Sequence, residues 1–154
     1  MEHAATFTDL KSDDAKVAEM RFGANWFFWL SILAIASTLL IYFFNFATHF
    51  VGLGVNQYVD ANAAAAGGET QRWAAFALNL GFAGIFALFG YFARKGNDLA
   101  FIVGIFLYFV DAVILLGYRE FFAFGFHLFV MYFLFKGLLA SRRRYDPSVD
   151  ATGA

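Results

Sequence analysis

The sequence predicts an all-α, polytopic membrane protein: a bundle of four transmembrane helices with one additional short helix. Hydrophobic residues make up 61% of the 154 residues and charged residues only 15%, whereas a soluble domain is about 45–50% apolar and about 25% charged. The apolar residues also form four long blocks. A spanning helix needs about 20 such residues, because the hydrocarbon core is roughly 30 Å thick. No block alternates with period two, which excludes a β-barrel.

The four blocks predict spans at about 24–46, 73–93, 99–117 and 121–140, within one membrane domain that covers residues 1–154. Residues 1–20 are expected to form a cytoplasmic segment whose helix begins near Ser12 and continues into the first span, and 142–154 a cytoplasmic tail. Short polar connections predict tight turns after the second and third spans. The longer connection between the first two spans carries polar residues at helical spacing. It predicts an extracytoplasmic helix from Thr48 to about Ala64, either interfacial or re-entrant.

Lys and Arg are distributed unequally between the two sides of these spans, which predicts the orientation of the chain. The N-terminal flank, the link between the second and third spans and the C-terminal end carry nine of them, whereas the other side carries only Arg72 and Arg119. Positive charges favour the cytoplasmic side of short flanks. Both termini are therefore expected in the cytoplasm, which agrees with an even number of spans.

Polar residues inside the spans converge on one depth. Asp111 and His127 lie eight residues on either side of Arg119, in the turn between the third and fourth spans, so an antiparallel hairpin places them level with each other. Polar residues of the other spans lie at comparable depth, and intramembrane polar residues tend to face the protein interior. The predicted polar layer consists of Asp111, His127, Asn79, Tyr42 and Tyr108. A second stripe, on the extracytoplasmic helix, consists of His49, Asn56 and Asp60.

Two interpretations of the polar layer remain open. It can be a satisfied hydrogen-bond network that sets the register of the bundle, as in a scaffold, accessory or lipid-binding subunit. Alternatively, Asp111 and His127 can carry ions or protons in an oligomeric transporter or channel. Four helices enclose little volume, so the second role would need several copies. Small residues of the second span that could form this contact are Ala77, Gly81 and Gly84.

Cofactor and enzyme chemistry have little support in the residue pattern. A divalent metal could be bound by Asp111 and His127 with a further ligand, and haem could use His49 and His127 as axial ligands. The spacing of these residues matches no metal or haem motif, so no cofactor is predicted. The chain has no Cys, no nucleophile with a positioned base and no phosphate-binding loop, which argues against an enzyme. Its net charge of −1 argues against nucleic-acid binding.

Four segments carry a resemblance to a known group of proteins. They are RFGANWFFWLSIL from Arg21, GLGVNQYVD from Gly52, FIVGIFLYFVDAVILL from Phe101 and FHLFVMYFLFKG from Phe126. With these segments the chain resembles uncharacterised small bacterial four-helix integral membrane proteins. The resemblance implies a location in the bacterial inner membrane. It implies no activity, cofactor or functional residue.

Overall fold

Five α-helices make up the part of the chain that the computed structural model describes, residues 7–44 and 53–143. They are α1 (Phe7–Phe44), α2 (Gly54–Ala66), α3 (Glu69–Arg94), α4 (Asp98–Gly117) and α5 (Phe121–Arg143). No strand occurs within the described residues. This part of the chain is all-helical, as the sequence predicts.

Four of these helices, α1, α3, α4 and α5, are long and apolar enough to cross a membrane. The prediction of four such helices is confirmed, and the last three predicted spans each lie within one of them. The first helix is longer than predicted. It begins at Phe7 and has 38 residues, which is about 57 Å at a rise of about 1.5 Å per residue. This is nearly twice the length that a core of roughly 30 Å requires.

Two glycines lie where α1 and α5 cross and bring the two backbones into contact. A Cβ atom placed on Gly23 would lie 2.5 Å from the Cα atom of Gly137, and one on Gly137 would lie 2.9 Å from the Cα atom of Gly23. Small residues allow this close packing between membrane helices. The other face of α1 packs against α3, so α1 lies between α3 and α5.

Phenylalanine rings fill the middle of the bundle. Phe27 is fully buried, and its ring centroid lies 6.0–6.3 Å from those of Phe86, Phe89 and Phe101. Gly104 provides the space for this ring, because a Cβ atom at that position would lie 2.5 Å from it. The core at this level is therefore apolar, and it separates the two ends of the bundle.

Tight turns join α3 to α4 and α4 to α5. At the first turn, the Asn97 side chain accepts a hydrogen bond from the backbone N–H of Ala100, at 3.2 Å, and so caps α4. At the second, Arg119 has a φ of 62°, a left-handed conformation that a single turn residue can adopt. Both connections are as short as the sequence predicts, so consecutive helices run antiparallel.

The short helix α2 packs against α3 and α4, near the end of α1 and the start of α3. Within the described residues it begins at Gly54; the predicted start near Thr48 falls in residues 45–52, which lie outside the described part of the chain. It ends at Ala66, and the capping residue Gly67 has a φ of 67°, in the left-handed region that favours glycine. Since α2 continues through Ala66, all four alanines before Gly67 are helical.

Three small residues of α3 lie on its outer face. Ala77, Gly81 and Gly84 are exposed, and a Cβ atom on either glycine would have no heavy atom within 4 Å in the described structure. The face that the sequence suggests for contact between copies is thus part of the outer surface.

Candidate functional site

Asp111 and His127 face each other in the interior of the bundle. The Nε2 atom of His127 lies 2.9 Å from Oδ2 of Asp111. The residues are only 4% and 2% exposed, so the contact is shielded from solvent. The hairpin of α4 and α5 therefore places the two side chains level with each other, as expected from their equal separation from Arg119.

The hydrogen bonds of His127 determine the net charge of this pair. Its Nδ1 atom lies 2.8 Å from the carbonyl oxygen of Ala123. Because a carbonyl oxygen only accepts hydrogen bonds, Nδ1 carries a proton. The contact between Nε2 and Asp111 needs a second proton, which resides on the imidazole or on the carboxyl group. The pair is neutral overall in either case, which lowers the cost of burying it.

The Asp111 carboxyl group also caps α2. The backbone N–H groups of Gly54 and Val55 donate hydrogen bonds to its Oδ2 and Oδ1 atoms, at 2.9 and 2.8 Å. The N-cap residue of α2 is Leu53, whose side chain makes no capping hydrogen bond. The first N–H groups of a helix have no partner within the helix, and negative charge at that end is favourable. A side chain of α4 therefore supplies the cap that α2 lacks in its own sequence.

Glycine at position 54 makes this capping contact possible. A Cβ atom there would lie 2.8 Å from the backbone oxygen of Asp111 and 2.8 Å from Cγ of Leu115. Real Cβ atoms do not approach other heavy atoms this closely. The first residue of α2 thus packs directly on the backbone of α4, which brings its N–H group within reach of the carboxyl group.

Tyr108 completes this first cluster, one turn before Asp111 on α4. Its ring stacks on the imidazole of His127, with centroids 4.3 Å apart and an angle of 17° between the planes. The ring is fully buried. Its hydroxyl group has no hydrogen-bond partner among the described residues. Tyr108 therefore restricts the orientation of the imidazole by packing and not by a hydrogen bond.

A second cluster surrounds Asp60 on α2. The hydroxyl group of Tyr42 on α1 and the side-chain amide of Asn79 on α3 each donate a hydrogen bond to Oδ1 of Asp60, at 2.9 Å. Asn79 is fully buried. This carboxyl group connects α1, α2 and α3, just as Asp111 connects α2, α4 and α5.

The five residues of the predicted layer thus belong to two clusters. Asp111, His127 and Tyr108 form one, and Tyr42 and Asn79 belong to the other. Within the described residues no hydrogen bond joins the two sets directly, and α2 connects them. Its Asn56, which lies between Gly54 and Asp60, is 2% exposed, and its side-chain amide lies 3.5 Å from the hydroxyl oxygen of Thr38 on α1.

The structure describes two of the three residues that were predicted on the extracytoplasmic stripe. Asp60 accepts hydrogen bonds from the layer residues Tyr42 and Asn79, although the sequence presented the stripe and the layer as separate sets. Asn56 is buried and lies against Thr38, which is not one of the layer residues. His49 lies outside the described residues. The sequence did not reveal the capping of α2 by Asp111. The only signal for it is a helix that begins Leu-Gly-Val, without a capping residue of its own.

The second cluster borders an open cleft of about 300 Å³. Tyr42, Asp60 and Arg72 line it together with Gly67 and small apolar residues. The guanidinium group of Arg72 donates a hydrogen bond to the carbonyl oxygen of Tyr42, at 2.9 Å, and its carbon lies 5.4 Å from the centre of the Tyr42 ring. The cleft thus brings a cation and a carboxyl group to the surface of the second cluster.

A narrower cleft of about 150 Å³ leads toward the first cluster. It lies between α2, α3 and α4, and its lining includes Asp111, Val55, Phe82 and Phe86. Almost all of the surface that it presents is apolar. The cleft therefore suits contact with an apolar chain better than passage of water toward the carboxyl group.

Binding of a metal or haem at this site would require rearrangement of the pair. Among the described residues, no three side chains of the types His, Cys, Asp and Glu come close enough together to hold a metal ion. Both ring nitrogens of His127 already have oxygen partners, so neither has a lone pair directed at a further ligand. The haem ligand pair suggested by the sequence includes His49, whose placement is not described.

Comparisons of the chain with known protein families, with curated proteins and with solved structures find no match. The functional argument therefore rests on the geometry of the two clusters.

Proposed function

We propose that this chain is a small accessory or lipid-binding protein of a membrane, in which the buried polar residues hold α2 on the bundle. The observation that carries the proposal is the set of partners of Asp111. Its two oxygens accept hydrogen bonds from Gly54 and Val55, and Oδ2 also shares a proton with His127. These partners all belong to the protein, which supports a structural role for the carboxyl group.

The outer surface supports the lipid-binding part of the proposal. Large apolar side chains are exposed along all four long helices, including Phe106, Phe122 and Tyr132, which are 62%, 78% and 58% exposed. Apolar surface of this extent on several sides requires a hydrophobic covering. Arg72, beside the open cleft, adds a cation at the level where the helices α1 and α3 end and begin. Anionic lipid headgroups have affinity for such cations.

The experiment that tests the proposal compares Asp111→Asn and His127→Gln with the unmodified protein in mild detergent. Asp111→Asn removes an acceptor for the N–H groups of α2, and His127→Gln removes the contact that holds the Asp111 carboxyl group in place. Such hydrogen bonds contribute about 0.6–2 kcal/mol each inside membranes. We expect a lower thermal midpoint for both variants, with the amount of lipid retained in native mass spectrometry unchanged. The matched control is Tyr132→Phe at an exposed position, which we expect to leave the midpoint unchanged. Variants as stable as the unmodified protein would contradict the proposal.

A second candidate function is ion or proton transfer by an oligomer. The observation in its favour is the shared proton of Asp111 and His127, because buried Asp and His pairs commonly serve as proton relays. We would reconstitute the protein in liposomes containing a pH-sensitive dye and apply a potassium gradient with valinomycin. Proton flux that is lost in His127→Gln would favour this candidate. Equal leakage from protein-containing and empty liposomes would exclude it.

The location, orientation and assembly of the protein are part of the same proposal. We infer a bacterial inner membrane with both termini in the cytoplasm, supported by nine positive residues on that side of the spans against two on the other. We further propose contact between copies through Ala77, Gly81 and Gly84, supported by their exposure. Accessibility of single introduced cysteines to an impermeant reagent tests the orientation. Crosslinking between copies through a cysteine at position 77 tests the contact.

A further inference from the structure

An open groove of about 320 Å³ lies between α4 and α5 on the outside of the bundle. Almost none of the surface that it presents is polar. Nearly buried apolar side chains form its floor and half-exposed rings form its sides: Ile105, Met131 and Leu138, and Phe106, Phe109 and Phe135. The groove therefore suits an elongated apolar ligand.

The dimensions of the groove indicate what can enter it. Its lining runs from Ile102 to Phe109 on α4 and from Met131 to Leu138 on α5, which is about 10 Å along each helix at a rise of about 1.5 Å per residue. A partner helix is about 10–12 Å wide with its side chains. Over the same length it would occupy about 800 Å³ or more, over twice the volume of the groove. A single acyl chain is much narrower, and it runs in the direction of the spanning helices.

The groove ends at a cation. Met131, Phe135, Leu138 and Arg142 follow each other at intervals of four, three and four residues, so they lie on one face of α5. Arg142 is exposed, and its Nε atom lies 3.9 Å from Oδ2 of Asp98, the first residue of α4. The guanidinium group therefore lies just beyond the apolar lining, at the end of the bundle that holds the α3–α4 turn.

Asp98 leaves the outer part of this guanidinium group available. Its Oδ1 atom accepts a hydrogen bond from the hydroxyl group of Ser141, which is fully buried. Its Oδ2 atom faces Nε of Arg142, and Asp98 is the one partner that Arg142 has among the described residues. The terminal Nη groups can therefore donate to a ligand. Phosphate oxygens are well suited to accept from a guanidinium group.

The charges near this end of the groove favour a ligand with a net negative charge. The adjoining end of α3 and the turn after it add Arg94 and Lys95, so the cations around Arg142 outnumber Asp98. Such an excess attracts anionic lipid headgroups. It also repels the ammonium group of a zwitterionic headgroup.

We propose that the groove between α4 and α5 binds one acyl chain of an anionic phospholipid, whose phosphate group pairs with Arg142. This inference rests on the proposed lipid-binding function, and it assigns that function a site and a class of lipid. The lipid belongs to the leaflet at the end of the α3–α4 turn, opposite to the end that holds α2.

The experiment titrates the delipidated protein in mild detergent with phosphatidylglycerol or with phosphatidylcholine of the same acyl chains, and native mass spectrometry counts the bound lipids. We expect one tightly bound phosphatidylglycerol and weaker binding of phosphatidylcholine. Arg142→Gln should lower the affinity for phosphatidylglycerol about fivefold, which corresponds to about 1 kcal/mol for one basic residue at a lipid surface. Phe106→Ala removes one side of the groove and should lower the affinity for both lipids.

Matched controls separate the groove from general effects of charge and apolar surface. Arg143→Gln removes the same charge at the next position, but Arg143 shares a face of α5 with Lys136 and Leu139 instead of the groove residues. We expect it to change the affinity clearly less than Arg142→Gln does. Phe44→Ala removes a ring of α1 that is 72% exposed and lies outside the groove, and it should leave both affinities unchanged.

All four substituted residues are exposed, and circular dichroism checks that each variant remains folded. Equal losses in Arg142→Gln and Arg143→Gln would overturn the groove site, as would an unchanged affinity in Phe106→Ala. Equal affinities of the unmodified protein for the two lipids would overturn the anionic class.

The same titration distinguishes the groove from the proposed function on which it rests. If Arg72→Gln lowers the affinity and Arg142→Gln does not, the lipid binds in the cleft beside Tyr42. The lipid-binding function then stands and the groove site is wrong. If the unmodified protein retains neither lipid, both are wrong.

Discussion

Replacement of Gly54 by alanine distinguishes two influences on stability: the intrinsic helix propensity of the residue and the packing of α2 against α4. In a helix interior, alanine is more favourable than glycine by about 1 kcal/mol. At position 54, however, the added Cβ atom would lie 2.8 Å from the Asp111 backbone oxygen and 2.8 Å from Cγ of Leu115. Because a backbone oxygen cannot rotate away, α2 must move outward. This movement lengthens the two hydrogen bonds from α2 to the Asp111 carboxyl group.

The expected loss of stability combines two contributions. An extra methyl group in a well-packed site costs about 1–3 kcal/mol, and weaker hydrogen bonds inside a membrane add about 0.6 kcal/mol or more. The helix preference offsets at most about 1 kcal/mol of this. We therefore expect Gly54→Ala to be destabilised by about 1–2 kcal/mol. For a chain of this size this corresponds to a thermal midpoint about 2–8 °C lower.

The assay is thermal unfolding in detergent, followed by circular dichroism, with Gly125→Ala as the matched control. Gly125 also lies in a helix, but a Cβ atom there meets nothing within 4 Å in the described structure. The control therefore has the helix preference without the clash, and its midpoint should stay the same or rise. If Gly54→Ala raises the midpoint as Gly125→Ala does, α2 does not pack on Asp111 as described, and the capping argument is refuted.

Two further substitutions test other parts of the fold by the same unfolding measurement. Gly137→Ala places a Cβ atom 2.9 Å from the Cα atom of Gly23. We therefore expect α1 and α5 to move apart where they cross and the midpoint to fall by several degrees. An unchanged midpoint would contradict this crossing. Tyr108→Phe removes a buried hydroxyl group that has no partner among the described residues but keeps the ring on His127, so we expect equal or greater stability. A clear loss of stability in Tyr108→Phe would indicate a hydrogen bond to that hydroxyl group.

The pairing of Asp111 with His127 was predictable from the sequence because only one short connection separates the two residues. Equal numbers of residues on either side of a tight turn place side chains at the same depth in an antiparallel hairpin, whatever else the bundle does. The turn has the expected length, and the two side chains are in contact.

The relation of Asn79 and Tyr42 to that pair was not predictable in the same way. Depth along a helix gives no information on rotation about its axis or on which neighbour it faces. Both residues meet Asp60 on α2 instead of Asp111, because α2 inserts a carboxyl group between them. The sequence pattern places Asp60 on a separate extracytoplasmic stripe. It therefore gives no indication that this carboxyl group lies between the long helices.

The sequence by itself determined that the chain forms four long apolar helices joined by two tight turns. Hydropathy, length and turn residues act locally along the chain, so no knowledge of the partner helices is needed to predict them. Only the tertiary structure decided how α2 begins. Its first N–H groups need an acceptor, its own sequence provides none, and the carboxyl group that does so is 57 residues from Gly54. Such a contact depends on the rotation and packing of α4 and α5 and on the absence of a side chain at Gly54, which no local pattern specifies.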